Sequence, residues 1–203
     1  MTDALDPRLW QALIAGGVVA LGWLVNGWRV RTDARRMRAE RLRDAHKALF
    51  AEIRDVCAAY WKEGEADAFA SAIVARMRAE PDFVPFVPRE VHGRVFEAML
   101  PQIDVLPRQT IDAIVAFYAL VASIQGLAED MRGAGFATMG QGRRIAMIED
   151  YVALRRRAFT YGKRTLKLIS AYADGGAPAA ERLLARFSRP DADRSSPEGS
   201  GTA

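Results

Sequence analysis

The sequence predicts an all-α protein: an N-terminal transmembrane helix that continues into a long helix, followed by a helical bundle. Three observations carry this. One uncharged apolar run, Leu9 to Trp28, is long enough for a bilayer. Downstream, apolar residues recur at helical spacing, and no segment keeps the two-residue alternation of a half-buried strand. The prolines fall between the periodic segments, where they end helices. At 203 residues the chain has room for one core-forming domain plus an accessory element. The expected division is 1–8 outside the cytoplasm, 9–28 in the membrane, 29–62 a basic juxtamembrane and amphipathic helix, 63–187 a helical domain and 188–203 a disordered tail.

In "LWQALIAGGVVALGWLVNGW" no residue is charged, and 20 helical residues span roughly 30 Å, the thickness of bilayer hydrocarbon. Trp10 and Trp28 stand near its ends, where indole rings favour the headgroup level. The next stretch, "RVRTDARRMRAERLRDAHK", holds eight basic and three acidic residues, a net +5. The whole chain carries +4, which leaves the remainder at −1. A domain built to hold phosphates would stay basic away from one short strip, so nucleic acid is not the expected partner. Arg29, Arg31, Arg35, Arg36 and Arg38 are read instead as the stop and orientation signal of an anchor. By the positive-inside rule they place the N-terminus outside and the domain in the cytoplasm. The charge follows the apolar run, whereas a cleaved signal peptide has its basic residues first. A buried globular helix is the other reading of the run. Ala12, Gly16 and Ala20 form a small-residue row that would let two anchors approach, so a homodimer or another protein joins the lipid bilayer among the expected partners.

From Asp33 to Lys62 there is neither Gly nor Pro, and a seam of Leu42, Leu49 and Val56 runs beside one of His46, Ile53 and Tyr60. The seam fails upstream at Arg35 and Ala39, which favours a helix docked on its own domain over a free coiled coil. "EADAFASAIVARMRAE" places Phe69, Ile73 and Met77 on one face; Pro81, Pro85 and Pro88 then impose an extended connector. "PREVHGRVFEAML" reads as a short helix with Pro88 in its first turn and Val91, Val95 and Met99 inward. Pro107 to Arg132 is the most apolar soluble segment, with Ile111, Ile114, Val115, Phe117, Tyr118, Val121, Ile124 and Leu127 around most of its circumference, as in a central helix. Its uncharged core, Ala113 to Ala128, is short for a second crossing, which would also export the later basic residues.

After a glycine-rich loop, "RRIAMIEDYVALRRRAFTYGKRTLKLISAY" shows an apolar face of Ile145, Ile148, Val152, Phe159, Leu166 and Ile169. Arg156, Arg157, Lys163, Arg164 and Lys167 gather on an exposed arc expected to lie opposite Phe159; they are either a solvated surface or a contact for anionic lipid or a partner. A short amphipathic piece with Leu183, Leu184 and Phe187 follows "DGGAP".

"VFEAMLPQIDVLPRQTIDAIVAFY" resembles a stretch found in loosely grouped, uncharacterised single-pass bacterial membrane proteins. Phe96, Ile103, Leu106, Pro107, Ile114, Val115, Phe117 and Tyr118 fit that pattern, while Met99 and Asp104 stand where Asn and Gly are expected. The resemblance implies an N-terminal anchor, a helical domain and no known activity.

Signals for chemistry are few. Gly135 and Gly140 have the spacing of a phosphate-binding loop, but Gln141 and Gly142 stand where Lys and Ser or Thr are required, and no strand precedes them. His46 and His92 are each expected within a helix, without a cysteine or carboxylate at ligand spacing, so no metal is expected. Cys57, the single cysteine, reads as a packed thiol of a reducing compartment. Glu129/Asp130 and Glu149/Asp150 are adjacent pairs whose members point to different helix faces, unsuited to acid and base roles. No catalytic or cofactor-binding residue is assigned. The expected function is a membrane-anchored cytoplasmic binding or scaffold module; a tethered enzyme or a tether for nucleic acid is the alternative.

Overall fold

The computed structural model describes residues 7–60, 65–89 and 91–188, with the side chains of 7–15, 19, 65–67 and 69 left aside. The expectations placed on Met1 to Asp6, on the tail from 189 onward, on Trp10 and Ala12, and on Phe69 fall outside this description. Most of the described residues are helical and none lies in a strand, as the periodicity predicts. Among the described residues there are six α-helices: α1 (Pro7–Tyr60), α2 (Glu65–Ala79), α3 (Arg94–Met99), α4 (Arg108–Arg132), α5 (Ala134–Thr138) and α6 (Gln141–Ser188). A 3₁₀ turn, Leu100–Val105, joins α3 to α4. Two compact units divide the chain between Asp44 and Ala45.

In the first unit the described side chains of α1 are almost all exposed, among them Val18, Leu21, Trp23, Leu24, Val25 and Trp28. The arginines that follow are exposed as well.

The second unit is a helical bundle. The seam of α1 is buried from Ala45 on: His46, Leu49, Ile53, Val56, Cys57 and Tyr60 all face inward, so this part of α1 docks on its own domain. Its last turn is closed by Arg155, whose Nη2 donates to the Ala59 carbonyl at 3.0 Å, a cation at the negative end of a helix.

The bundle centres on α4 packed along α6. α4 is not sheathed on all sides, however. Ile114, Phe117, Tyr118, Val121, Ile124, Ala128 and Met131 form one buried face, while Val115 is 42% exposed and Ala119, Ala122 and Gly126 lie beside it at the surface. The apolar circumference arises because the uncovered side carries alanine, glycine and one valine, which count as apolar without filling a core. By length and composition alone α4 could cross a membrane, with 33% of its apolar window buried. Its mid-helix Tyr118 and its Gln125 instead bond to groups of the same bundle, Glu52 and the His92 carbonyl.

On α6 the buried positions are Arg144, Ile148, Tyr151, Val152, Ala158, Gly162, Thr165, Leu168, Ile169 and, beyond its break, Ala180. Phe159 and Leu166, expected at the centre of this face, are only half-buried. Small residues take their place because α1 and α4 approach closely there: a Cβ on Gly162 would lie 2.3 Å from Cys57 Sγ and 2.9 Å from the Phe117 ring. α6 breaks at Gly175 and Gly176, the latter at φ 63, and the arm beyond turns back so that Phe187 meets Arg164 and Glu181 accepts from Gln109 at 2.8 Å.

The connector after α2 is extended, as its prolines require. It also runs farther than expected: α3 begins at Arg94, Val91 is exposed, and Pro88 and His92 lie outside any helix. Gly93 explains the late start. Its φ of 92 belongs to the left-handed region, which only glycine enters at no cost, and this backward turn admits the helix after it and not before.

Candidate functional site

Three polar junctions lie inside the bundle. The first is built on Glu52, half-buried on α1. Its Oε1 accepts the Val95 N–H at 2.8 Å; its Oε2 accepts the Phe96 N–H at 3.1 Å and the Tyr118 O–H at 2.6 Å. Val95 and Phe96 occupy the first turn of α3, whose amides have no partner within the helix, so a carboxylate from another helix serves as its cap. Phe96 then stacks on Tyr118, ring centroids 4.1 Å apart and planes 5° from parallel. Burial, followed by the hydrogen bond and charge of Glu52, pushes the Tyr118 phenol far above its usual range and fixes it as a donor. Of the resembling stretch, Phe96 and Phe117 both meet the Tyr118 ring, and Leu106 and Ile114 are buried. Their pattern is therefore one of packing. Glu52 escaped the sequence reading because an isolated glutamate on an amphipathic helix has no local signature.

The second junction is His46, buried on α1 with Nε2 3.0 Å from Thr110 Oγ1 and its ring edge-on to Tyr172. Thr110 gives its own proton to the Pro107 carbonyl at 3.3 Å, which leaves Oγ1 to accept from Nε2–H. Burial holds the pKa of His46 below its ordinary 6.5. The unfolded chain then takes up a proton that the folded one resists. The stabilisation is complete above 6.5 and is lost as pH falls from there through the lower folded value. Urea midpoints of the full chain measured from pH 7.5 down to pH 5 should therefore fall more steeply for wild type than for His46→Gln. Parallel curves for the two proteins would mean that His46 does not titrate in this window.

The third junction accounts for "GQGRR". The glycine-rich stretch, expected to be a flexible loop, contains α5, and α6 begins already at Gln141. Gln141 Nε2 donates to the Met77 carbonyl at 2.6 Å, and the buried Arg144 donates to the Pro81 carbonyl. Both satisfy carbonyls at and just beyond the C-terminus of α2, where a cation also complements the helix dipole. The residue standing in place of a phosphate-binding lysine thus serves as a helix cap.

Cys57 is buried, its thiol pushed up to about 11 by burial against the opposing pull of Lys163, as suits a packed thiol. Glu129 meets Arg89 and Arg132 at 3.5 Å, and Glu149 meets Arg78 at 3.6 Å beside an open cleft between α2 and α6. These are exposed pairs of small energetic weight. Among the described residues, no three His, Cys, Asp or Glu side chains are grouped as metal ligands. His92 contributes its carbonyl to Gln125 at 2.9 Å and its ring edge to Tyr60.

The remaining candidates lie on the surface. Arg29, Arg31, Arg35, Arg36 and Arg38 are exposed in the first unit, directly after the uncovered Leu21, Trp23, Leu24, Val25 and Trp28. In the second unit Arg156, Arg157, Lys163, Arg164 and Lys167 are all exposed along one side of α6. They are not opposite Phe159: Lys163 lies 5.3 Å above that ring, Arg157 6.0 Å from Tyr161 and Arg164 5.8 Å from Phe187. The neighbouring Arg155 departs from this face and turns inward to Ala59 and the Tyr60 and Tyr151 rings.

These features define a helical-bundle protein with two kinds of uncovered surface, one apolar and one basic, and interior polar groups committed to holding helices together. No family model matches the chain, and no curated protein or solved structure is similar to it.

Proposed function

We propose that the chain is a single-pass inner-membrane protein, with Leu9 to Trp28 as its anchor, the N-terminus outside, and the helical bundle in the cytoplasm as a binding or scaffold module. One observation carries this reading. On α1 the side chains of Val18, Leu21, Trp23, Leu24, Val25 and Trp28 are exposed together, and exposed arginines follow at once. Burying such side chains contributes about 1.5 to 3 kcal/mol each, and an uncovered apolar helix of this length calls for hydrocarbon around it. The step from apolar to basic sets the direction of crossing. The resemblance of Val95 to Tyr118 to single-pass membrane proteins points the same way. The interior polar groups favour a binding module over an enzyme, since the most elaborate, Glu52 with Tyr118, serves as a helix cap.

The test is topological. A reporter active only outside the inner membrane should be silent at the C-terminus and active at the N-terminus of the full chain. Removal of residues 1–28 should shift the protein from the membrane pellet to the supernatant. An active C-terminal reporter refutes the orientation; pelleting of the shortened chain refutes the anchor.

A further inference from the structure

We infer that the basic face of α6 is a second membrane contact, which lays the bundle against the anionic headgroups of the leaflet on its own side. This deepens the anchor reading and rests on it for the nearness of the bilayer. Between Tyr151 and Ala173 the chain has no acidic residue, and Arg156, Arg157, Lys163, Arg164 and Lys167 are exposed on one side of the helix. From Arg156 to Lys167 the face runs for roughly 16 Å, enough to cover several headgroups.

Two features favour a lipid surface over other polyanions. Lys163, Arg157 and Arg164 lie over the half-buried rings of Phe159, Tyr161 and Phe187, so the face combines cations with apolar ring edges, the pairing that suits a headgroup layer with hydrocarbon beneath. Apart from this face and the strip after Trp28 the chain is not basic, and a helix tethered to a leaflet meets that leaflet at far higher effective concentration than any soluble polyanion. Each basic side chain near such a surface adds to the attraction, so the five together raise occupancy of the anionic surface many-fold.

The test uses the full chain reconstituted in vesicles of neutral phosphatidylcholine or of phosphatidylcholine with one third phosphatidylglycerol. Ser170→Cys, on the exposed side of α6 just beyond Lys167, carries a donor dye, and a headgroup-labelled lipid is the acceptor; the buried Cys57 resists labelling. Energy transfer should rise several-fold in anionic over neutral vesicles, fall at high salt, and be lost when Arg156, Arg157, Lys163, Arg164 and Lys167 are all changed to Gln. Lys163→Gln with Lys167→Gln should lose part of it, which keeps the test valid should the fivefold variant misfold. Transfer indifferent to lipid charge while the chain still floats with neutral vesicles overturns the contact and leaves the anchor standing. Failure to float with neutral vesicles overturns the anchor instead. Duplex DNA that binds the wild type and abolishes the charge-dependent transfer assigns the face to nucleic acid and overturns the lipid contact.

Discussion

Phe117→Ala should cost about 3 to 5 kcal/mol, a large share of the roughly 5 to 15 kcal/mol that holds a domain of this size together. Phe117 is 0% exposed, lies edge-on to Tyr118 at 5.2 Å, and meets the point where α6 passes closest to α4. Its removal leaves a cavity among three helices. These helices are held in place by Glu52, His46 and Arg155 and cannot close in freely. Urea unfolding of the full chain in mild micelles is the measurement, with reactivity of the single, buried Cys57 as a local reporter. A loss below about 1 kcal/mol would show that the three helices collapse around the gap.

Gly162→Ala should also destabilise, against the usual trend. In an open helix the change stabilises by about 1 kcal/mol, because glycine loses more backbone freedom on folding. At Gly162 the new methyl would stand 2.3 Å from Cys57 Sγ and 2.9 Å from Phe117 Cε2, well inside contact distance. Overpacking of this kind costs typically 1 to 3 kcal/mol, so sterics should exceed propensity and leave a net loss. Cys57→Ala, which removes the nearer obstacle, should recover part of it when combined with Gly162→Ala. The pair would then be non-additive by more than the about 0.5 kcal/mol expected of independent sites. Helical circular dichroism during denaturation reads all four proteins. Should Gly162→Ala prove as stable as wild type, the close approach of α1 and α6 is wrong.

The sequence by itself determined the helical class, the unbroken run of the first helix from the apolar segment into the seam, the docking seam from His46 to Tyr60 and the extended connector. These follow from local rules: helical periodicity along one face, the absence of breakers, and the fixed geometry of proline. It also picked out both basic clusters, because a cluster of charge on a helix is visible from spacing alone, but it set the arc of α6 opposite Phe159, whereas Lys163 lies over that ring. Tertiary structure decided which apolar residues form the core. Phe159 and Leu166 look like core by size, yet Ala158, Gly162 and Thr165 hold the buried positions, because there the helices approach too closely for larger groups. Val115 looks like core by hydropathy and is left at the surface because α4 is covered on one face. The caps were equally hidden: Glu52 serves α3 across 43 residues, and Gln141 serves α2 across 64. A hydrogen bond between distant segments depends on where the chain brings two groups together in space, and no periodicity within either segment records it.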